Sequence, residues 1–263
     1  MELFVSNLLC KDNPKLDKII INGYFCFMKY KRILLKLSGE AIGGPDGVGL
    51  NENVMAAYAR QIAAVVNAGT QVAIVIGGGN IFRGLSGTQR GFDRVRGDQM
   101  GMLATVINSI GLSLSLRNAG LTAEVFTSTP MRPMAKYYMR DEVDEYLKSG
   151  GVAVVAGGTG NPFFTTDSAA ALRACELRCD ALLKGTKVDG VYDADPVKHP
   201  EAKRYDTLTF DKAIADNLKV MDQTAFTLCK ENDMPIIVFN MNDDGMLEKV
   251  IAGTGTCTVL SNE

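Results

Sequence analysis

An α/β protein with a mostly parallel sheet covered by helices is predicted by three features of the sequence. Short runs rich in Val, Ile and Leu alternate with longer stretches of helical period, glycine-rich loops follow three of the apolar runs, and no Pro- or Ser-rich linker, repeat or low-complexity stretch divides the chain after Met28. Parallel strands are buried on both faces, so they read as continuous apolar runs. The 263 residues are 46% hydrophobic and 22% charged, which allows one substantial core and excludes a disordered or collagen-like chain.

The first strand is expected over residues 32–37. A helix follows from 51 to about 68, where Val54, Ala57, Tyr58, Ile62, Val65 and Val66 form an apolar stripe and Gly69 supplies the stop. Residues 71–76 read as the next strand. Asp98 is expected to open a long helix that runs through Met102, Val106, Ile110 and Leu114 to about 119, where Gly120 ends it. A third strand over 122–126, a charged helix over 141–148 and a buried strand over 152–156 continue the alternation. Helix 167–177, strand 181–184, helix 222–231, strand 235–240, helix 246–252 and strand 256–260 complete one domain with two functional lobes, about 28–180 and 181–263.

With 28 Lys plus Arg against 30 Asp plus Glu, the net charge is −2, and no basic run offers a footprint for nucleic acid. No unbroken apolar run reaches the roughly 18 residues of a membrane span. Residues 1–27 carry Glu2, Asp12 and Asp17 against Lys11, Lys15 and Lys18, with no Arg, which matches neither a secretory nor an organelle leader. Translation is expected to begin at Met28, with residues 1–27 a disordered or mis-started extension. Six cysteines without an export signal favour reduced thiols in the cytoplasm. Cys175 and Cys179, four apart, read as buried structural residues. His199 is the only histidine and precedes a proline, an unpromising base for a Ser-His or Cys-His mechanism.

The chemistry is expected in the glycine-rich loops that begin at Gly39, Gly77 and Gly157, because ligands in open α/β sheets bind beyond the carboxyl ends of the strands. Glycine lets backbone amides approach a ligand, and the helix starts that follow favour phosphate. No GxxxxGK[ST] or strand-linked GxGxxG is present, so neither a P-loop nor a dinucleotide-binding fold is indicated. Lys36 stands at a strand end beside a glycine turn, where phosphate binding outweighs plain solvation. Arg83 lies inside the second loop and its fork of donors suits phosphate. Asp98 is either a helix-start carboxylate or an acceptor for ribose hydroxyls. Asp167 has the same helix-start alternative, and its place beside a Gly-Thr-Gly loop suits it to orienting lysines or metal-bound water. In the run from Lys184 to Pro196, Tyr192 and Asp195 are placed to flank a nucleotide, although a turn rich in Asp, Gly and Pro needs no ligand.

The stretches KRILLKLSGE (31–40), IGGGNIFRG (76–84), GDQMGMLAT (97–105), GTGNPFFTTDSAA (158–170), KGTKVDGVY (184–192) and KVMD (219–222) occur in this order. From about residue 30 to the end the sequence resembles the bacterial UMP-kinase branch of the amino-acid kinase family, and the GNPFFTTD segment separates that branch from the carbamate, aspartate and acetylglutamate kinases. The resemblance implies a three-layer α/β/α fold, transfer of the γ-phosphoryl of ATP to UMP with Mg2+ carried on the nucleotide, and a homohexamer. It implies ATP contacts from Lys36, Leu37, Ser38, Gly39, Gly79, Arg83, Thr186, Tyr192 and Asp195, with Gly79 and Arg83 between the two phosphates. It implies UMP contacts from Gly78, Asp98, Thr159, Gly160, Asn161, Pro162, Phe163, Phe164, Thr165 and Thr166. Asp167 and Lys184 fall near the transfer path, and Lys36 and Arg83 complete the catalytic set. The loop Gly44, Pro45, Asp46, Gly47, Val48 and Gly49 resembles one associated with activation by GTP, with UTP as an inhibitor.

Two rival readings keep the same fold. One changes the acceptor to another small phosphate or carboxylate compound; the other is a nucleotide sensor or storage assembly without turnover.

Overall fold

The computed structural model describes residues 18–21, 24–27, 29–82, 91, 93–196, 198–218 and 220–263. The chain opens with β1 (Lys18–Ile21) and β2 (Tyr24–Phe27), which pair with each other as an antiparallel hairpin. Then come β3 (Arg32–Leu37), the single turn α1 (Gly39–Ile42), α2 (Glu52–Asn67) and β4 (Gln71–Ile76). Next are α3 (Arg94–Asn118), β5 (Ala123–Thr127), β6 (Lys136–Tyr137), α4 (Arg140–Lys148) and β7 (Val152–Ala156). After these follow α5 (Thr166–Glu176), β8 (Ala181–Thr186), the short pair β9 (Val191–Tyr192) and β10 (Arg204–Tyr205), and β11 (Thr207–Thr209). The last elements are α6 (Phe210–Ala215), α7 (Gln223–Glu231), β12 (Ile236–Asn240), α8 (Met246–Ile251) and β13 (Thr258–Ser261).

Nine strands form the central sheet in the order β11-β13-β12-β8-β3-β4-β7-β5-β6. Within this sheet the β12–β13 pairing is antiparallel and the other described pairings are parallel, so β13 and β11 run against the other seven strands. Side chains alternate across the sheet, and this sorts the core into two halves. Ile33, Leu35 and Leu37 pack with Ile62 of α2, Leu112 of α3 and Leu247 of α8. Leu34 packs with Val143 of α4, Ala170 and Ala174 of α5 and Phe226 of α7. The architecture is thus the three-layer α/β/α sandwich, and Lys36, two residues from Leu34, belongs to the α5–α7 face.

Several boundaries differ from the sequence expectation. The helix expected to open at Asp98 begins a turn earlier, because the Asp93 carboxylate caps it by accepting from Arg96 N–H at 3.1 Å. Asp98 therefore lies inside α3. The next departure is in α5, which starts at Thr166 with Thr165 as its cap. The short elements α1, α6, β6, β9, β10 and β11 show no period of their own in the sequence and fall outside its expectation, as does the β1–β2 hairpin. Helix α3 is long and apolar enough by length and composition to cross a membrane. Its inner face buries the polar residues Asn108, Ser109 and Ser113 against the protein, as suits a helix lying on a sheet. Cys179 falls beyond the end of α5, so it does not share a helix with Cys175; both thiols are free, and burial pushes Cys179 up to about 12.

Candidate active site

Strands β3 and β8 are neighbours, and their register places Lys36 directly opposite Lys184. Both side chains point to the face covered by α5, whose second residue is Asp167. Lys36 Nζ lies 2.6 Å from Asp167 Oδ1 and Lys184 Nζ lies 2.9 Å from Oδ2. One carboxylate is thus shared by two ammonium groups, and Lys184 also donates to the Val220 carbonyl. Burial alone would raise the Asp167 pKa; the charges and hydrogen bonds of the two lysines outweigh it and hold the carboxyl below its ordinary value. For Lys184, burial lowers the ammonium pKa and the charge of Lys36 lowers it further, against the opposing pull of Asp167.

Thr165 builds the entrance to this array. Its hydroxyl accepts from Asp167 N–H at 3.1 Å and Ser168 N–H at 3.2 Å, and donates to Asp222. Asp222 in turn accepts from Ser168 Oγ at 3.0 Å and caps α7 through Ala225 N–H at 2.9 Å. The start of α5 and the start of α7 are therefore tied together at one edge of the site. This leaves the Thr165 hydroxyl fully engaged as a cap.

Two glycine loops meet above β3 and β4. Gly39 sits so close to the second loop that a Cβ there would lie 2.5 Å from Gly77 O and 2.6 Å from Asn80 Oδ1. Gly78 is pressed against α3 in the same way, with Gly101 O 2.8 Å from a Cβ position. Beneath them, Asn80 and Asn108 exchange amide hydrogen bonds of 3.0 and 2.7 Å. Asn108 also donates to Gly77 O at 2.7 Å, and Asn80 to Gly49 O at 2.6 Å, while Gly49 N–H donates back to Asn80 O at 3.0 Å. The 44–49 loop is thereby bonded to the 77–80 loop.

On one side of the lysine–aspartate array lies a cleft of about 160 Å3 lined by Gly78, Asp98, Thr159, Asn161, Phe164 and Thr166, among others. Asp98 Oδ2 accepts from Phe163 N–H at 2.8 Å and from Arg94 Nε at 2.8 Å, so it fastens the 159–166 loop to α3. Phe163 holds a left-handed φ of 70° and Arg94 stacks over its ring, with Cζ 5.5 Å from the centroid. Phe163 and Phe164 are both exposed.

On the other side, Asp167, Lys184 and Asp222 line a cleft of about 420 Å3. A further cleft of about 590 Å3 is lined by Thr186, Tyr192 and Asp195, among others, and shares Lys184, Asn217, Leu218 and Val220 with the first. The two form one trough leading away from the lysines.

The structure therefore gathers Lys36, Asp167 and Lys184 into one array and places the residues expected for donor and acceptor on its two sides. Leu37 enters only as backbone: its side chain is buried in the opposite half of the core, and its carbonyl accepts from Gly77 N–H at 3.0 Å. Ser38 precedes α1 and makes no side-chain cap to it. Arg83 lies outside the described residues. Sequence reasoning missed Asn80, Asn108 and Asp222. Asn108 left a signal, a polar residue on the inward stripe of α3, and Asp222 stands in a matched stretch at a helix start.

The model of the amino acid kinase family matches residues 31–240. A uridylate kinase of Bacteroides thetaiotaomicron is 53% identical over 234 residues, covering 89% of this chain and 99% of that protein. A uridylate kinase of Zymomonas mobilis is 49% identical over 235 residues, covering 89% and 97%. Among solved structures, a UMP kinase from Bacillus anthracis superposes with a TM-score of 0.85 at 37% identity, covering 89% of this chain and 97% of that one.

Proposed function

The chain belongs to the amino acid kinase family, and from that premise we propose that it transfers the γ-phosphoryl of ATP to UMP, giving UDP and ADP in pyrimidine nucleotide biosynthesis. The observation that carries the proposal is the Lys36–Asp167–Lys184 array, set between a trough on one side and a smaller cleft on the other. UMP is a phosphate monoester with a second pKa near about 6, so it arrives ionised and needs no general base. What the reaction needs is alignment of two anions and neutralisation of charge as the phosphoryl moves. Lys36 and Lys184, held at strand ends by one carboxylate, supply fixed positive charge.

In this reading Thr186, Tyr192 and Asp195 hold the adenosine along the trough, while Lys36, Leu37, Ser38, Gly39 and Gly79 meet the ATP phosphates through amides and the ammonium group. Gly78, Asp98 and the segment from Thr159 to Thr166 hold UMP. Arg83 lies between the phosphates by its place in the matched IGGGNIFRG stretch. Mg2+ bound to the triphosphate supplies further charge neutralisation. The nearby carboxylates fit a metal whose ligands come mainly from the nucleotide, since Asp167 is engaged by two lysines and Asp222 by Thr165, Ser168 and Ala225.

The finer parts of the proposal are a cytoplasmic homohexamer activated by GTP and inhibited by UTP. Met100, Leu103, Ile107 and Leu114 of α3 are exposed apolar side chains on one long helix, which supports burial of that face between copies of the chain. The bonds between Gly49 and Asn80 support transmission of an effector's influence from the 44–49 loop to the glycine loop at the reaction centre. The test is ADP release with ATP and Mg2+ in the presence of UMP, CMP, dUMP or no acceptor, with and without GTP. UMP-selective turnover is expected; equal rates with CMP would point to a broader acceptor, and binding of both nucleotides without turnover would overturn the proposal.

A further inference from the structure

We propose that Ser128 and Arg173, which line neither cleft, are positioning residues that hold the acceptor loop at its working height; this rests on the reading of the 159–166 segment as the UMP loop. The loop leaves β7 through Gly157, Gly158 and Gly160, all left-handed with φ of 77°, 59° and 84°. Such a turn has little intrinsic stiffness, because glycine restricts the backbone least. Something outside it must fix its shape. Ser128, the residue after β5, fills that place: a Cβ on Gly157 would stand 3.2 Å from Ser128 N, and one on Gly160 3.2 Å from Ser128 Cβ. Ser128 Oγ donates to Gly158 O at 2.6 Å, one residue before Thr159.

Arg173 decides which way that hydroxyl points. Its Nη2 donates to Ser128 Oγ at 3.1 Å, and a guanidinium can only donate, so the serine proton is left for the backbone carbonyls, with Gly158 O at 2.6 Å nearer than Ala156 O at 3.3 Å. The guanidinium is itself held by Glu176, at 2.6 Å from Nη1, and by the Tyr138 ring, whose centroid lies 4.0 Å from Cζ. Tyr138 hydroxyl donates to the same Glu176 oxygen at 2.8 Å. Arg173 is 6% exposed, and its Nε has no hydrogen-bond partner among the described residues. A buried cation with an unmatched donor is a poor device for stability alone. It is well placed for another purpose, since Arg173 rises from α5, whose first turn carries Thr166 and Asp167. The chain from Arg173 through Ser128 to Gly158 fixes the acceptor loop relative to the reacting end of that helix.

The test compares the full chain with Ser128→Ala, Arg173→Met and the double variant, by steady-state kinetics in UMP and in ATP and by amide hydrogen exchange of residues 157–161. Each single variant is expected to raise KM for UMP by about fivefold or more, with KM for ATP changed by less than about twofold. Because both changes cut one chain, the double variant is expected to be no worse than Arg173→Met alone. Exchange at 157–161 should accelerate in all three. Unchanged KM for UMP and unchanged exchange in Ser128→Ala would overturn the proposal, as would KM values for UMP and ATP that rise together. Should Arg173→Met not fold, Arg173→Lys keeps the charge and loses the fork, and a smaller but still UMP-selective rise is expected. If the unaltered chain does not phosphorylate UMP, the functional reading fails, and the exchange rates still decide whether Ser128 and Arg173 hold the loop.

Discussion

Lys36 and Lys184 are register partners on adjacent parallel strands, and both close on the one carboxylate of Asp167. Two like charges a strand apart repel, so the sheet alone would not keep them together. The helix layer supplies the counter-charge at the second position of α5, where Thr165 fixes the helix start. A slip of one residue in either strand would turn its lysine to the opposite face. The cationic centre is thus specified by strand register and helix capping together.

Asp167→Asn should cost stability with a particular pH dependence. Removing one partner of a buried ion pair costs about 3–5 kcal/mol, and here it leaves two lysines facing each other. The folded-state pKa of Asp167 lies below the ordinary 3.8, so its stabilisation is fully present above about that pH and is lost as pH falls through the lower folded value. The stability gap between the two proteins in urea should therefore stay level from pH 7 to about pH 4 and narrow only below it. Lys184 adds a slope of its own: its folded pKa lies below 10.5, so the unfolded chain binds the proton more tightly, and stability gains as pH rises toward 10.5. A gap that has already closed by pH 5 would show that the lysines do not depress Asp167.

Gly39→Ala should disable the site without melting the core. Its Cβ would meet Gly77 O at 2.5 Å and Asn80 Oδ1 at 2.6 Å, and the first of these is backbone that can yield only if the 77–80 loop moves. A displacement of about 1 Å at positioning groups costs on the order of a hundredfold in rate. Expected are a kcat reduced by at least about tenfold and a Tm lowered by only a few degrees. Near-normal turnover would mean that the two glycine loops do not jointly set the phosphate geometry.

Much of this was legible beforehand because the sheet is parallel: continuous apolar runs such as 152–156 and glycines at their ends mark both strands and crevice. The shortest elements escaped because two or three residues carry no period, as with β6 and β9. The residue pattern puts Asp98 at a helix start, since nothing in it shows that Asp93, five positions earlier, takes the cap. Lys36 and Asp167 each stand out in the sequence, but their meeting depends on helix–sheet packing across 167 − 36 = 131 positions. Asn80, Asn108, Ser128 and Arg173 act through neighbours rather than on a ligand, and such roles leave only a faint trace, a polar residue where the helical stripe calls for an apolar one.

Asp98 does two things that substitution can separate. Its Oδ2 accepts from Phe163 N–H and from Arg94, and the first bond holds a non-glycine residue in the left-handed region, a conformation that costs about 1–2 kcal/mol. Asp98→Asn keeps an acceptor for Phe163 and loses the charge; Asp98→Ala loses both. The expected order in KM for UMP is native, then Asn, then Ala, with Ala raised about tenfold or more, as loss of a charge-assisted hydrogen bond implies. Kinetics with UMP varied at saturating ATP decide it, and an unchanged KM in both variants would leave Asp98 as a carboxylate on a helix face and nothing more.

Asn108→Leu tests whether the buried amide pair is the hinge pin of the two glycine loops. Leucine is close in size, so little cavity opens, but Gly77 O and one donor and one acceptor of Asn80 lose their partner. Buried unsatisfied groups cost about 1–3 kcal/mol each, and in a chain this long each kcal/mol lowers Tm by roughly 2–4 °C. A fall of about 4 °C or more is therefore expected in calorimetry. Asn108→Asp separates packing from hydrogen bonding, because a carboxylate can still accept from Asn80 yet cannot donate to Gly77 O, and it places a charge in a fully buried position. It should be at least as destabilising as leucine. If instead Asn108→Asp were tolerated and Asn108→Leu were not, the bond to Gly77 would be dispensable, and the acceptor offered to Asn80, which also holds Gly49, would be the part that matters.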